Sequence, residues 1–110
     1  MSSGLIEKEK ANKVKDLHEI ERIIKIHKPL LKKKYQVKQI GIFGSYVRGE
    51  QDKTSDLDVL VEFDKRIGFF KFLELEEYLQ QLLHIKVDLV SRKALKPRIG
   101  QHILHEVVIL

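Results

Sequence analysis

Asp56 and Asp58 open an apolar run that continues through Val61 to Phe63. In a strand, residues i and i+2 point to one face. Both charges would therefore aim at the same spot, where they repel unless a cation lies between them. Ten residues separate Asp56 from Ser45, and Gly44-Ser45 cuts off an earlier apolar run, Ile40 to Phe43. Glycine lets a backbone approach a phosphate closely, and a turn into a helix presents free N–H groups to an anion. The Ser45 hydroxyl can donate to a phosphate oxygen, although a Gly-Ser pair by itself is more often a helix cap. Arg48 could add a phosphate contact, or form a structural ion pair with Glu50 or Asp52. A further carboxylate, Asp88, sits inside the apolar run Ile85 to Val90. In a buried strand it is costly unless paired or metal-bound; on an edge strand it would point to solvent. If that strand lies beside the one after Asp56, three carboxylates share one face. Such an all-oxygen set suits Mg²⁺ or Mn²⁺. It can hold two ions about 3.5–4 Å apart that clamp the attacking and leaving oxygens of a phosphoryl transfer.

These side chains need strands to aim them and helices to bury the strands. Val37 to Phe43, Leu57 to Phe63 and Ile85 to Val90 read as strands, with Val59, Val61 and Phe63 facing the core opposite Asp56 and Asp58. Ser45 begins a short helical turn through Arg48, and Gly49 to Thr54 is a polar loop. Leu17, Ile20, Ile24, His27 and Leu31 recur at steps of three and four, which marks a helix face. Pro29 falls within it, so either one helix kinks there or two short ones meet. Lys32, Lys33 and Lys34 close the helical part at the negative end of its dipole. Phe69, Phe72, Leu73, Leu75, Leu79 and Leu82 mark an amphipathic helix up to about His84, and the Phe69, Phe70 and Phe72 cluster reads as helix core. Ala94 to His105 reads as a helix with Pro97 in its first turn, and Val107 to Leu110 as a short last strand. The order of elements gives an α/β (α+β) sheet with helices on it.

A chain of 110 residues, 43% apolar and 34% charged, fits one globular domain with one core. Residues 1–15 form a polar segment, helical or frayed, and residues 16–110 the domain. No apolar run approaches the ~20 residues of a membrane span, and the N-terminus has no signal-peptide core. With no cysteine, disulfides and Cys-ligated zinc are excluded, which suits the cytoplasm. His18, His27, His84, His102 and His105 read as surface or boundary residues. Of the net charge of +5, residues 1–38 carry the excess, with 11 Lys and Arg against 5 Asp and Glu. A basic helix can be a nucleic-acid footprint, but no aromatic residues are interleaved for base stacking. A solvated face, or one matched to an acidic partner, is the better reading, and direct nucleic-acid binding is not expected.

Gly44-Ser45, ten residues, then Asp56-Leu57-Asp58 resembles the signature of the polymerase-β-like nucleotidyltransferases. The small size and the flanking Arg48-Gly49-Glu50 and Ser55-Asp56 are most similar to the minimal nucleotidyltransferase (MNT) group, over roughly Lys38 to the C-terminus. The resemblance implies the polymerase-β-like fold, a small mixed sheet with helices packed on it. It implies that Asp56, Asp58 and Asp88 are the catalytic carboxylates and hold two Mg²⁺ ions. Gly44 and Ser45, with Arg48, would bind the nucleotide. Many members of the group are antitoxins paired with a ribonuclease toxin of the HEPN type.

The expected function is metal-dependent transfer of AMP from ATP to a hydroxyl. The resemblance suggests a tyrosine of a partner HEPN toxin as acceptor. One rival is an antitoxin that only binds its toxin, which would have no need of Gly44, Ser45 and the three aspartates. Another is transfer to an RNA or small-molecule end, as in larger relatives that carry extra domains for the acceptor.

Overall fold

The computed structural model describes residues 15–110. The polar segment expected over residues 1–15 therefore lies, apart from Lys15, outside the described residues. Helix α1 (Leu17–Tyr35) starts at Asp16, whose carboxylate accepts the Glu19 backbone N–H at 2.9 Å; an acidic cap of this kind satisfies one of the orphan donors of the first turn. It is one continuous helix through Pro29. Lys28, Pro29 and Leu30 are all exposed. The carbonyl that loses its partner to proline is that of Lys25, which is exposed as well, so water can serve it. The buried face is Ile20, Ile24, Leu31 and Tyr35.

Strand β1 (Val37–Phe43) follows, then the single turn α2 (Ser45–Arg48), β2 (Leu57–Phe63), α3 (Phe69–Leu83) and β3 (Val87–Ser91). A 3₁₀ turn at Arg92–Ala94 leads to α4 (Pro97–Glu106) and β4 (Val108–Ile109). The stretch expected as one helix from Ala94 is thus divided. Lys96 is extended, at φ −72° and ψ 145°, as the residue before a proline must be.

The four strands form a mixed sheet in the order β3-β2-β1-β4. β1 is antiparallel to both β2 and β4, while β2 and β3 are parallel and joined by α3, the crossover a parallel pair requires. Leu57, Val59 and Val61 of β2, with Ile40 and Ile42 of β1, are buried in one core with Leu75, Leu79 and Leu83 of α3 and the α1 face. Phe63 is half-buried and meets Phe72 edge-on at 6.2 Å between centroids.

Phe69 and Phe70 do not join that core; they are 69% and 83% exposed. Phe72 already packs on Phe63, the last residue of β2. The first turn of α3 therefore overhangs the end of the sheet, with no strand beneath it. Leu73 is exposed as well, because the buried stripe falls on Leu75, Leu79 and Leu83. No helix among the described residues is long and apolar enough to cross a membrane.

Candidate active site

The site stands where β1 ends and β2 and β3 begin. Gly44 leaves β1 at φ +82°, a conformation that other L-residues rarely adopt. A Cβ on Gly44 would collide with Oδ2 of Asp58. The glycine is therefore needed twice, for its backbone angle and for the room it leaves the carboxylate. Its carbonyl accepts the backbone N–H groups of Val47 and Arg48, at 3.0 and 3.2 Å, which closes the turn of α2. Tyr46 anchors that turn in the core. Burial, and then the charges of Asp52 and Asp56, raise its phenol above the usual range. Gly44, not Ser45, is the cap residue, and no side chain caps α2. The Ser45 side chain stands at the first helical position, half-exposed at the mouth of the site.

The loop that carries the chain from α2 to Asp56 is held by its own polar groups. One oxygen of Asp52 accepts the Thr54 backbone N–H at 2.8 Å and the Thr54 hydroxyl at 2.7 Å. The Ser55 hydroxyl oxygen accepts the Asp52 backbone N–H at 2.9 Å. The Thr54 hydroxyl first, then the Thr54 backbone N–H and the Ser55 donors, hold the Asp52 carboxyl below its usual range. Leu57 then donates its N–H to the Lys86 carbonyl at 2.8 Å, which ties the start of β2 to the residue before β3.

In the parallel ladder Asp58 is in register with Asp88, and in the antiparallel one with Phe43. Residues in register on neighbouring strands share a face, so Asp58 and Asp88 lie side by side, with Asp56 one step before β2. Asp58 is half-buried while Asp56 and Asp88 are exposed. Burial, then the negative charges of Asp88 and Asp56, push the Asp58 carboxyl up from the usual carboxylate range. Asp88 also sits on the edge strand and is exposed, as the solvent-facing alternative had it.

Among the described residues no three carboxylate or imidazole groups close into a ready-made metal cage. What the fold supplies is an open, converging, all-oxygen set. Mg²⁺ keeps several waters and takes one or two carboxylates together with substrate phosphates, so this set fits it in chemistry.

Arg48 is engaged rather than free. Its Nε donates to Glu50 at 2.9 Å and its Nη1 to Glu106 of α4 at 2.5 Å. The sequence pointed to Glu50 or Asp52; Glu106, 58 residues away in the chain, carries no local signal. Its charge also reaches Asp58, so α4 is electrostatically part of the site. His18, His84, His102 and His105 are exposed and His27 is half-buried.

The nucleotidyltransferase domain family matches residues 23–110. A curated relative, the protein adenylyltransferase MntA of Thermococcus cleftensis, is 50% identical over 92 residues, covering 84% of this chain and 93% of its own. A solved minimal nucleotidyltransferase superposes with a TM-score of 0.76 at 31% identity, over 87% of this chain and 97% of its own. A toxin–antitoxin structure with AMP-PNP superposes at 0.67 and 27% identity, over 82% and 70%. With the sheet, the glycine turn and the paired aspartates in place, this chain belongs to the nucleotidyltransferase domain family, among its minimal members with the polymerase-β-like fold.

Proposed function

We propose that this protein transfers AMP from ATP to a tyrosine hydroxyl of a HEPN-type ribonuclease toxin and so acts as that toxin's antitoxin. The observation that carries this reading is the parallel register of Asp58 with Asp88, at the end of the sheet where Gly44 closes on Asp58. The adenylyltransferase name of the Thermococcus relative and the toxin–antitoxin neighbour with AMP-PNP support it. Asp56, Asp58 and Asp88 would hold two Mg²⁺ ions, or Mn²⁺. Bound there, Mg²⁺ supplies charge neutralisation for the triphosphate and for the attacking and leaving oxygens.

The protein's own groups do the rest. Gly44 leaves space for the triphosphate beside Asp58, and the Ser45 hydroxyl donates to a β- or γ-phosphate oxygen. Arg48 joins them by exchanging Glu50 for a phosphate oxygen. Asp88, exposed on the edge strand, accepts the proton of the incoming hydroxyl. The hydroxyl oxygen bonds to the α-phosphorus, the bond from that phosphorus to the bridging oxygen breaks, and pyrophosphate leaves.

Asp56→Asn/Asp58→Asn tests the reading. Removing mutually repelling charges tends not to destabilise a fold, so the double variant should melt like wild type. Its transfer of AMP to the HEPN protein, followed by mass spectrometry, should be abolished. Wild-type transfer by the double variant would sink the assignment. A variant that modifies nothing yet protects cells from the toxin as well as wild type would make binding alone the antitoxin activity.

A further inference from the structure

Glu106 is a carboxylate in a place that disfavours one. It is the last residue of α4, and the carbonyl end of a helix carries partial negative charge, which favours cations. Its charge also repels that of Asp58, in a site that already gathers Asp56 and Asp88. Among the described residues its one ion-pair partner is Arg48, whose Nη1 donates to it at 2.5 Å. Surface ion pairs contribute little to stability, and α4 does not depend on this one for its place. Directly after it, Val108 and Ile109 of β4 pair with Ile42 and Gly41 of β1. Leu110 is buried and donates its N–H to the Ile40 carbonyl at 3.0 Å. The Lys28 ammonium donates to the Leu110 carbonyl at 2.7 Å. The end of α4 is therefore a fixed post from which Glu106 reaches Arg48.

The two glutamates on Arg48 are not equivalent. Glu50 is two residues along the same loop, with its side chain 62% exposed. Glu106 comes from 58 residues further on, with its side chain 25% exposed. The local, exposed partner is the one a phosphate oxygen replaces; the anchored one stays. A guanidinium has five N–H groups, of which Nε–H goes to Glu50 and one on Nη1 to Glu106. The rest, both on Nη2 included, have no partner among the described residues. Phosphate takes two parallel N–H bonds from such a fork, which must be held in one orientation to give them. Without Glu106, the long Arg48 side chain would have the Asp58 carboxylate as its strongest attraction, and would take up oxygens that a metal cation needs.

We propose that Glu106 is a positioning residue for nucleotide binding: from the fixed end of α4 it holds the Arg48 guanidinium beside the aspartates without letting it close on them, so that the unused N–H groups take the triphosphate. This rests on Arg48 as a nucleotide-binding residue, as proposed above. The unfavourable setting of Glu106 separates this role from a structural one. A carboxylate kept for stability should cost stability when removed; one kept for Arg48 should cost nucleotide affinity instead.

The test uses the full chain, with Mg²⁺ and AMP-PNP as the binding probe and purified HEPN-type protein as acceptor. Glu106→Ala should melt no lower than wild type, because it removes an anion from a helix C-terminus and from beside Asp58. It should weaken Mg²⁺–AMP-PNP binding about tenfold, the loss expected for one bond to a charged group, and raise the KM for ATP alike with kcat little changed. The KM for the acceptor protein should not move. Glu106→Gln, which keeps the acceptor oxygen but not the charge, should fall between. In an Arg48→Ala background, Glu106→Ala should weaken AMP-PNP binding no further, since its effect passes through Arg48. Wild-type AMP-PNP affinity in Glu106→Ala overturns the proposal, as does a loss of affinity that persists in full without Arg48. A Glu106→Ala protein that melts lower, yet keeps wild-type KM and kcat per folded molecule, makes Glu106 a structural residue and overturns it too. Wild-type affinity in Arg48→Ala removes Arg48 from the nucleotide site and Glu106 with it, while the transferase reading stands on the Asp56→Asn/Asp58→Asn test. A wild-type protein that neither binds Mg²⁺–AMP-PNP nor transfers AMP overturns both.

Discussion

Gly44 and Ser45 are adjacent, yet the fold constrains them differently. At Gly44 any side chain meets both an unfavourable φ of +82° and the Asp58 carboxylate, so no other residue fits there without displacing the site. Ser45 has no such structural burden, because the cap residue of α2 is Gly44 and no side chain caps that turn. A Ser in the capping role would make Ser45→Ala cost about 0.5–2 kcal/mol. Here the substitution should leave the melting temperature close to wild type. If the hydroxyl holds a triphosphate oxygen as charge grows on the leaving pyrophosphate, transfer should instead slow on the order of 10²-fold. The check is the rate of nucleotide gain by the partner, normalised to folded enzyme. A wild-type rate would remove Ser45 from the site.

Among the elements, β3 carries the least secure part of the site, because it is an edge strand and bears Asp88. Edge strands expose unpaired backbone groups that invite wrong pairing. In this protein α3 covers that edge with side chains: Glu76 accepts the Leu89 N–H at 3.0 Å and Gln80 accepts the Val87 N–H at 3.0 Å. Glu76 and Gln80 are four apart, one helical turn, while Val87 and Leu89 are two apart on a strand. The two spacings are nearly equal in length, about 6 Å for the helix and 7 Å for the strand. Glu76→Ala/Gln80→Ala should therefore free both amides, at a net cost of about 1 kcal/mol per bond. Hydrogen exchange at Val87 and Leu89 should speed up first, and AMP transfer should fall as Asp88 loses its support. Unchanged exchange at those two amides would show that the side chains do not secure the strand. On the opposite side of the sheet, Gly41 serves β4 in a different way. A Cβ there would stand 2.7 Å from Cγ2 of Val107 and 3.0 Å from the Val108 carbonyl oxygen, so the close approach of β4 to β1 requires glycine.

For the molecule as a whole, the site is a place where like charge has been gathered. Asp56, Asp58 and Asp88 converge, Glu106 adds to the field at Asp58, and Arg48 is the cation that offsets them. A ligand that brings cations and binds only the folded state adds stability by mass action, about 2.7 kcal/mol at one hundred times its Kd. For a domain of this size that corresponds to a melting-temperature rise of roughly 10 °C or more. The rise should need Mg²⁺ or Mn²⁺ together with ATP. A thermal melt that moves no further with both than with ATP and chelator would count against a metal-assisted nucleotide site at these residues.

The local grammar of the chain was legible without any tertiary information. The limits of β1, the single turn after Gly44 and β2 all follow from apolar runs and glycine, which act within a few residues, whereas the helix read from Ala94 starts only at Pro97. The pairing of Asp56 with Asp58 at the start of β2 was legible too, since strand periodicity is a local property. The mixed strand order and the parallel register that sets Asp88 beside Asp58 are another matter. They depend on which strands bury one another's faces, an energy summed over Leu57, Val59, Val61, Val87, Leu89 and the helices above them. The grip of Glu106 on Arg48 likewise depends on where α4 ends relative to α2. Phe69 and Phe70 show the reverse case. Their helical spacing is right for burial, but the sheet stops at Phe63, and an amphipathic pattern cannot tell a helix how far the surface beneath it extends.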